Sequence, residues 1–372
     1  MHICYYIYFI IFCSYKTPRG RSTQSGVLCM IIHKSDKVSG NEKKKNIGHK
    51  WPNWYPLLAT YQNSDNFKAT WQLINTIIPY GCLWYLMIQS IQHDYSYLTT
   101  LILALPAAAF LVRIFILFHD CVHGSLFKSK SANTFFGYFL GVLVFTSFED
   151  WRFTHLRHHG TYANLDLRGF GDVWTMTVAE YENSLKMKRL LYRVYRNPMI
   201  LIGLGALFNF LLHNRIPDFR SKRKERMSVI FTNLLIIAVA LSAAKIIGWQ
   251  TYLLIQLPVL WLAGEAGIWL FYVQHQFEDG YWARKSEWDP LRAAMEGSSF
   301  YMLPAVLRWF SGNIGYHHIH HLRPMIPNYQ LKNCYEAIPA LQARKPLTIV
   351  KSLSCLRLKM WDVELQKMVS FS

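Results

Sequence analysis

The sequence predicts an all-α integral membrane protein: four transmembrane helices, flanked by interfacial helices, beneath a cytoplasmic helical cap. Three observations carry this expectation. Only 17% of the 372 residues are charged and 52% are hydrophobic, whereas soluble chains carry about a quarter charged residues. Four apolar runs approach or reach the ~20 residues that a bilayer crossing needs. The basic residues, in turn, gather on one side of those runs.

Residues 1–50 read as an N-terminal extension, disordered or interfacial. Its first 15 residues are apolar and aromatic but lack the basic start and small-residue cleavage site of a secretory signal. The remainder is polar and basic, including Lys43-Lys44-Lys45. Residues 51–372 form a single membrane domain with spans at about 71–91, 97–118, 229–247 and 251–273. The loops 92–96 and 248–250 are too short to hold a domain. Two further apolar stretches, 131–148 and 199–212, are shorter. The second reaches only about 21 Å, against roughly 30 Å of hydrocarbon, so both read as interfacial or buried helices. Pro198 suits the first turn of the second.

Four crossings bring the N-terminus, residues 119–228 and residues 274–372 to one side. Of the 40 lysines and arginines only Arg113 and Lys245 fall inside spans, and the two short loops carry none. The positive-inside rule therefore makes the large segments cytoplasmic. Arg113 and Lys245 must face protein or snorkel. The net charge of +18 comes without any nucleic-acid-binding motif, so it reads as topology and headgroup contact. The seven cysteines (Cys4, Cys13, Cys29, Cys82, Cys121, Cys334 and Cys355) never form a CxxC pair. Neither a disulfide framework nor a zinc knuckle is expected, consistent with a reducing compartment.

The histidines mark the chemistry. His119 and His123 lie four apart in HDCVH, and His155, His158 and His159 lie at i, i+3 and i+4 in HLRHH. His275 follows the last span, and His317, His320 and His321 repeat the i, i+3, i+4 spacing in HHIHH. That spacing places three imidazoles on one helical face, the beginning of a metal site. The topology rests on hydropathy and charge alone, yet it delivers every cluster to the same cytoplasmic surface. One zinc takes about four ligands, so eight or nine imidazoles imply two metals. Glu-x-x-His pairs and HExxH are both absent, which argues against a carboxylate-bridged bundle site and a zinc protease. Asp120, Asp166, Glu278 and Asp279 are candidates to accept the second ring N–H of ligating histidines. Arg157, between box histidines, should turn to solvent or pair with an acid.

With these motifs in hand the chain resembles the membrane fatty-acid desaturases, the histidine-box family, and within it the bacterial acyl-lipid desaturases of delta-5 and delta-12 type. The resemblance runs from about Trp71 to about Phe371. It is carried by RIFILFHDCVH, HLRHH, NLDLRGFGDVWTMTVAEY, WLFYVQHQFED, EGSSFYMLP and GNIGYHHIHHL. It implies two iron ions held by His119, His123, His155, His158, His159, His275, His317, His320 and His321, with dioxygen as co-substrate. His318 is the ambiguous member: HHIHH reads as HxxHH through His317, leaving His318 spare. The implied reaction places a cis double bond in a membrane-lipid acyl chain. A tunnel lined by span residues such as Trp261, Trp269 and Phe271 would select the carbon.

No electron source is encoded: HPGG is absent, and neither Gly203-Leu-Gly205 nor Gly169-Phe-Gly171 continues into GxGxxG. The resemblance therefore implies an external donor, ferredoxin- or flavodoxin-like, or cytochrome b5 in a eukaryotic setting. It also implies a multi-pass location: the plasma membrane in a bacterium, the endoplasmic reticulum or plastid in a eukaryote. A di-iron lipid hydroxylase or oxygenase using the same boxes, and a non-enzymatic membrane metal-binding protein, are the competing readings. Transporters usually carry ionisable groups in mid-span, whereas these histidines lie at span ends.

Overall fold

The computed structural model describes residues 51–371; the expected N-terminal extension lies outside them. Helix α1 (Asn66–Gln92) starts at Asp65, whose carboxylate accepts from the amides of Phe67 and Lys68, and helix α2 (Tyr97–His123) starts at Ser96. Their hairpin is pinned by a buried hydrogen bond of 2.7 Å between the hydroxyls of Ser90 and Thr100. Prolines sit inside both helices, at Pro79 and Pro106, a substitution that membrane helices tolerate where neighbours satisfy the freed carbonyls. α2 ends at Gly124, whose φ of 73° closes the helix in the left-handed conformation glycine adopts without steric cost.

Helices α3 (Lys130–Leu143) and α4 (Phe148–Thr161) follow, bent 101° from one another at a four-residue break. α5 (Lys186–Tyr195) leads through Pro198 into Met199–Leu212, whose backbone is largely π-helical, and the two are bent by 68°. α6 (Arg223–Ile247) and α7 (Trp249–His275) are joined at Gly248.

Among the described residues α2, α6 and α7 are each long and apolar enough to cross a membrane, and the number rises to five if each bent pair counts as one span. α1 is as long, at 27 residues, and exposes Trp71, Ile74, Ile78, Tyr85 and Leu86. Each of the four long helices extends beyond its apolar run. One extension matters most: α2 continues five residues past the expected end at 118 and keeps HDCVH helical. Hydropathy senses the side chains, whereas the helix continues as long as its backbone bonds do.

α2 is the hub of the apolar core. Leu111, Ile114, Leu117 and Phe118 are buried against α1, α3 and α7. Arg113 is buried too and faces protein: it donates to the Thr76 hydroxyl at 3.0 Å and to the carbonyl of Trp309, and its guanidinium lies 3.9 Å from the Trp309 ring. Lys245, in the last turn of α6, is exposed.

Residues after His275 wrap over the helix ends as short helices with a few strands. β1 (Met176–Thr177) pairs in parallel with β4 (Met360–Asp362), which pairs with β5 (Lys367–Val369), and β2 (Tyr301–Met302) pairs with β3 (Leu347–Thr348). These short pairings are the departure from an all-helical expectation. A second apolar cluster, including Leu58, Ile319, Leu331 and Leu341, seats helices α8 (His317–Leu322) and α9 (Asn328–Ala337). The described cysteines, Cys82, Cys121, Cys334 and Cys355, are free thiols.

Candidate metal centre

Four helix segments converge at one place. The last turns of α2 bring His119 and His123, α4 brings His155, His158 and His159, the final residue of α7 is His275, and α8 brings His317, His320 and His321. The loop before α8 requires its glycines. At Gly312, where φ is 50°, a Cβ would meet Ile116 at 2.6 Å, and at Gly315 it would collide with the Tyr301 carbonyl.

The nine imidazoles sort into two groups. In the first, Nε2 of His119 lies 3.0 Å from that of His320, which lies 3.1 Å from that of His159. His159 is then 3.1 Å from His155, and His155 is 3.0 Å from His123. These five side chains can offer ligand atoms that all lie within 4.8 Å of one another. In the second, His158, His275 and His321 meet the same 4.8 Å test. His317 joins them, its Nε2 lying 3.0 Å from that of His275 and 3.1 Å from that of His321.

Each i, i+3, i+4 triplet therefore divides between the two groups. His155 and His159 turn to the first group and His158 to the second. α8 reciprocates, with His317 and His321 in the second and His320 in the first. The reason is helical: consecutive residues point roughly 100° apart, so an i+3 residue and its i+4 neighbour diverge once acceptors exist on both sides.

The donor set fits two metal ions. At a metal–nitrogen distance of about 2.1 Å, neighbouring ligands at right angles stand about 3 Å apart, matching the spacing of the Nε2 atoms. Burial, then repulsion among the rings themselves, holds His155, His159, His317, His320 and His321 well below the usual imidazole range. Burial thus favours the neutral rings, the form in which imidazole can bind a metal.

Two outer carboxylates hold the tautomer. Asp120 Oδ1 is 3.3 Å from His119 Nδ1, and its Oδ2 accepts from the Asn328 amide and side chain at 2.7 and 2.8 Å. Asp172 Oδ1 is 2.7 Å from His158 Nδ1, and its Oδ2 accepts from the Gly169 amide at 3.0 Å. A proton kept at Nδ1 leaves the Nε2 lone pair facing inward.

Asp120 thus meets the sequence expectation, and the other three acids do not. Asp166 pairs with Arg284 at 2.8 Å and accepts from the Lys285 amide, while Glu278 and Asp279 are exposed. The first follows from an available cation, the other two from a chain that turns outward after His275. Asp172 is the acid that sequence reasoning missed. Its signal was the pair Gly169 and Gly171, whose φ values of 102° and 69° fold the loop back onto α4.

His318 is buried and turned away, its Nε2 3.1 Å from the Leu341 carbonyl. Arg157 is exposed, as expected, and stacks on Phe153 and Phe170. Phe271 packs 4.9 Å from the His275 ring and 5.5 Å from that of His158. Trp261 is directed elsewhere: it is 43% exposed and donates to the Gly203 carbonyl of the broken helix. Trp269 reaches the Tyr301 hydroxyl at 3.3 Å. Two aromatic neighbours went unread in the sequence. Trp151 stacks on His155 at 4.2 Å, and Tyr162 lies 4.1 Å from the His275 ring and donates to the carbonyls of His275 and Gly297.

A helical membrane scaffold enclosing paired all-histidine sites defines the class, and comparison with known proteins identifies the family. Residues 95–352 match the fatty acid desaturase family, and the chain belongs to it; it is an oxidoreductase. It is 44% identical over 328 residues to a fatty acid desaturase of Bacillus subtilis, covering 88% of this chain and 93% of that protein. It is also 24% identical over 225 residues to the sn-1 oleoyl-lipid 12-desaturase of Synechocystis, covering 60% of this chain and 63% of that one. With the sn-1 acyl-lipid omega-3 desaturase (ferredoxin) of Synechocystis it shares 25% over 238 residues, covering 60% and 63%.

Proposed function

We propose that the chain is an oxygen-dependent acyl-lipid desaturase that places a cis double bond in a membrane-lipid acyl chain. Two irons would be held by His119, His123, His155, His159 and His320 and by His158, His275, His317 and His321. The observation that carries this reading is the convergence of nine Nε2 atoms, with no carboxylate among them, into adjoining groups of five and four. Such sets exceed one tetrahedral zinc and suit a redox metal bound by imidazole. When bound, the irons supply dioxygen activation.

The residues of the chain do the rest. Asp120 and Asp172 hold the Nδ1 protons of His119 and His158 and so orient their rings. Trp151, Tyr162 and Phe271 pack aromatic surface against the histidines, and Phe271, one helical turn before His275, would touch the acyl chain. That positioning fixes which methylene pair reacts. Four crossings by α1, α2, α6 and α7 would set the centre on the cytoplasmic side of a multi-pass protein. The names of the two Synechocystis relatives, both of which specify lipid-linked acyl chains and one of which specifies ferredoxin, support a lipid substrate and an external one-electron donor.

The test is mass spectrometry of fatty-acid methyl esters from a host that lacks the activity and expresses this chain. A product two hydrogens lighter than its precursor is expected. A product heavier by one oxygen would replace desaturation with hydroxylation. His158→Ala and His320→Ala should each abolish the product while leaving membrane insertion intact; activity in either would remove it from the ligand set.

A further inference from the structure

On the side of α4 away from the histidines, the surface carries a cationic and aromatic patch. The guanidinium of Arg157 lies 4.7 Å from the Phe170 ring and 5.0 Å from that of Phe153. Arg220 covers Phe170 at 3.8 Å and Phe219 at 4.9 Å. Leu156 is 43% exposed beside Arg157, and Phe219 is 62% exposed. Arg220 is neutralised by Asp218, 2.8 Å away. Arg157, Lys222 and Arg223 are exposed and pair with no carboxylate among the described residues. The patch is thus net positive around an apolar centre, a composition in which arginine and aromatic rings form the effective contacts of interfaces.

Its position gives it a purpose. Phe170 belongs to the loop Gly169-Phe170-Gly171-Asp172, and the Asp172 carboxylate meets His158 Nδ1 at 2.7 Å. Arg220 also reaches the Gly169 carbonyl at 3.3 Å. From the sandwiched ring to an imidazole of the centre the route is two residues of backbone, one side chain and one hydrogen bond. Arg157 itself is the residue before His158. An apolar cationic surface with so short a connection to the site is suited to a partner that delivers electrons there.

We propose that Arg157, Phe170 and the neighbouring Lys222 and Arg223 form the docking surface for a small one-electron carrier protein with an acidic face. This rests on the desaturase reading above. For each double bond the carrier is oxidised twice. Dioxygen takes those two electrons with two protons, together with the two hydrogens leaving the acyl chain, and departs as two waters. The carrier's acidic rim would be steered by the free cations and its apolar centre seated on Phe170 and Leu156.

The test uses the full-length, iron-loaded protein in phosphatidylcholine nanodiscs, with a reduced plant-type [2Fe–2S] ferredoxin or dithionite and methyl viologen as donor. Stopped-flow follows oxidation of the carrier, and binding of the oxidised carrier is measured separately. Arg157→Glu should slow ferredoxin oxidation and weaken binding about tenfold at low salt. Arg223→Glu should act in the same direction less strongly. The wild-type rate should fall with ionic strength, and viologen-driven turnover should stay unchanged in both variants.

Equal ferredoxin rates in wild type and variants would overturn the proposal. So would equal losses with both donors, which would mean damaged packing. Rates that follow added anionic lipid but not the substitutions would assign the patch to headgroups and overturn it as well. A wild-type protein that takes electrons from ferredoxin through Arg157 yet forms no unsaturated product would uphold the docking surface and refute the desaturase reading.

Discussion

Asp172 and His318 show how much one residue can decide. Asp172 touches no ligand atom that faces inward, yet it holds His158 at its outer nitrogen with a 2.7 Å bond. Removing such an outer partner lowers metal affinity about 10- to 100-fold. Asp172→Asn should therefore release iron at lower chelator concentration than wild type, with an unchanged helical spectrum; identical iron retention would show that the loop, not the carboxylate, positions His158. His318 bears on stability. Burial, opposed by its bond to the Leu341 carbonyl, pushes its imidazole down to about 4. The folded state thus refuses a proton that the unfolded chain accepts near 6.5, so stability falls as pH drops from about 6.5 to about 4 and is level below. This group accounts for on the order of 3 kcal/mol across that window. His318→Leu should flatten the acid limb of a thermal-melt profile between pH 6.5 and 4 while retaining the full iron content. A loss of iron would make His318 a ligand after all.

At the scale of elements, the segment before α8 is the most constrained. Gly315 runs against the Tyr301 carbonyl, and its own carbonyl accepts from the Tyr301 amide at 2.8 Å. An added methyl would meet backbone, which cannot rotate aside. Gly315→Ala should cost about 1–3 kcal/mol and move His317 relative to His275, so both melting temperature and iron occupancy should fall. If melting shifts while iron content holds, the loop tolerates displacement without disturbing α8. The bend of 101° between α3 and α4 is the other decisive element. It turns an apolar stretch that is too short for a span into a support that lays HLRHH across the ends of the long helices.

Across the whole molecule, the centre joins parts far apart in the chain: α2, α4, α7 and α8 all contribute histidines to it. A ligand that binds the folded state alone stabilises it by mass action, about 4 kcal/mol at a thousandfold excess over Kd. Metal removal by a chelator should therefore lower the melting temperature of the entire 51–371 domain in one transition. A separate low-temperature step, leaving the spans intact, would show that the cap folds apart from the membrane helices.

Some of this was legible in the sequence because it is local. Hydropathy and charge located the long helices from neighbouring residues, and the spacing of HDCVH, HLRHH and HHIHH singled out the nine histidines that converge. The i and i+4 members of each box do share a group, as helical periodicity requires. What only the tertiary structure decided is non-local. Which box meets which, why His158 crosses to His275 and His317, why Asp172 rather than Asp166 supports a ligand, and why His318 turns to Leu341 all depend on where separate helices end relative to one another. Periodicity sets the direction of a side chain about its own helix axis; the packing of four helix ends sets what it finds there.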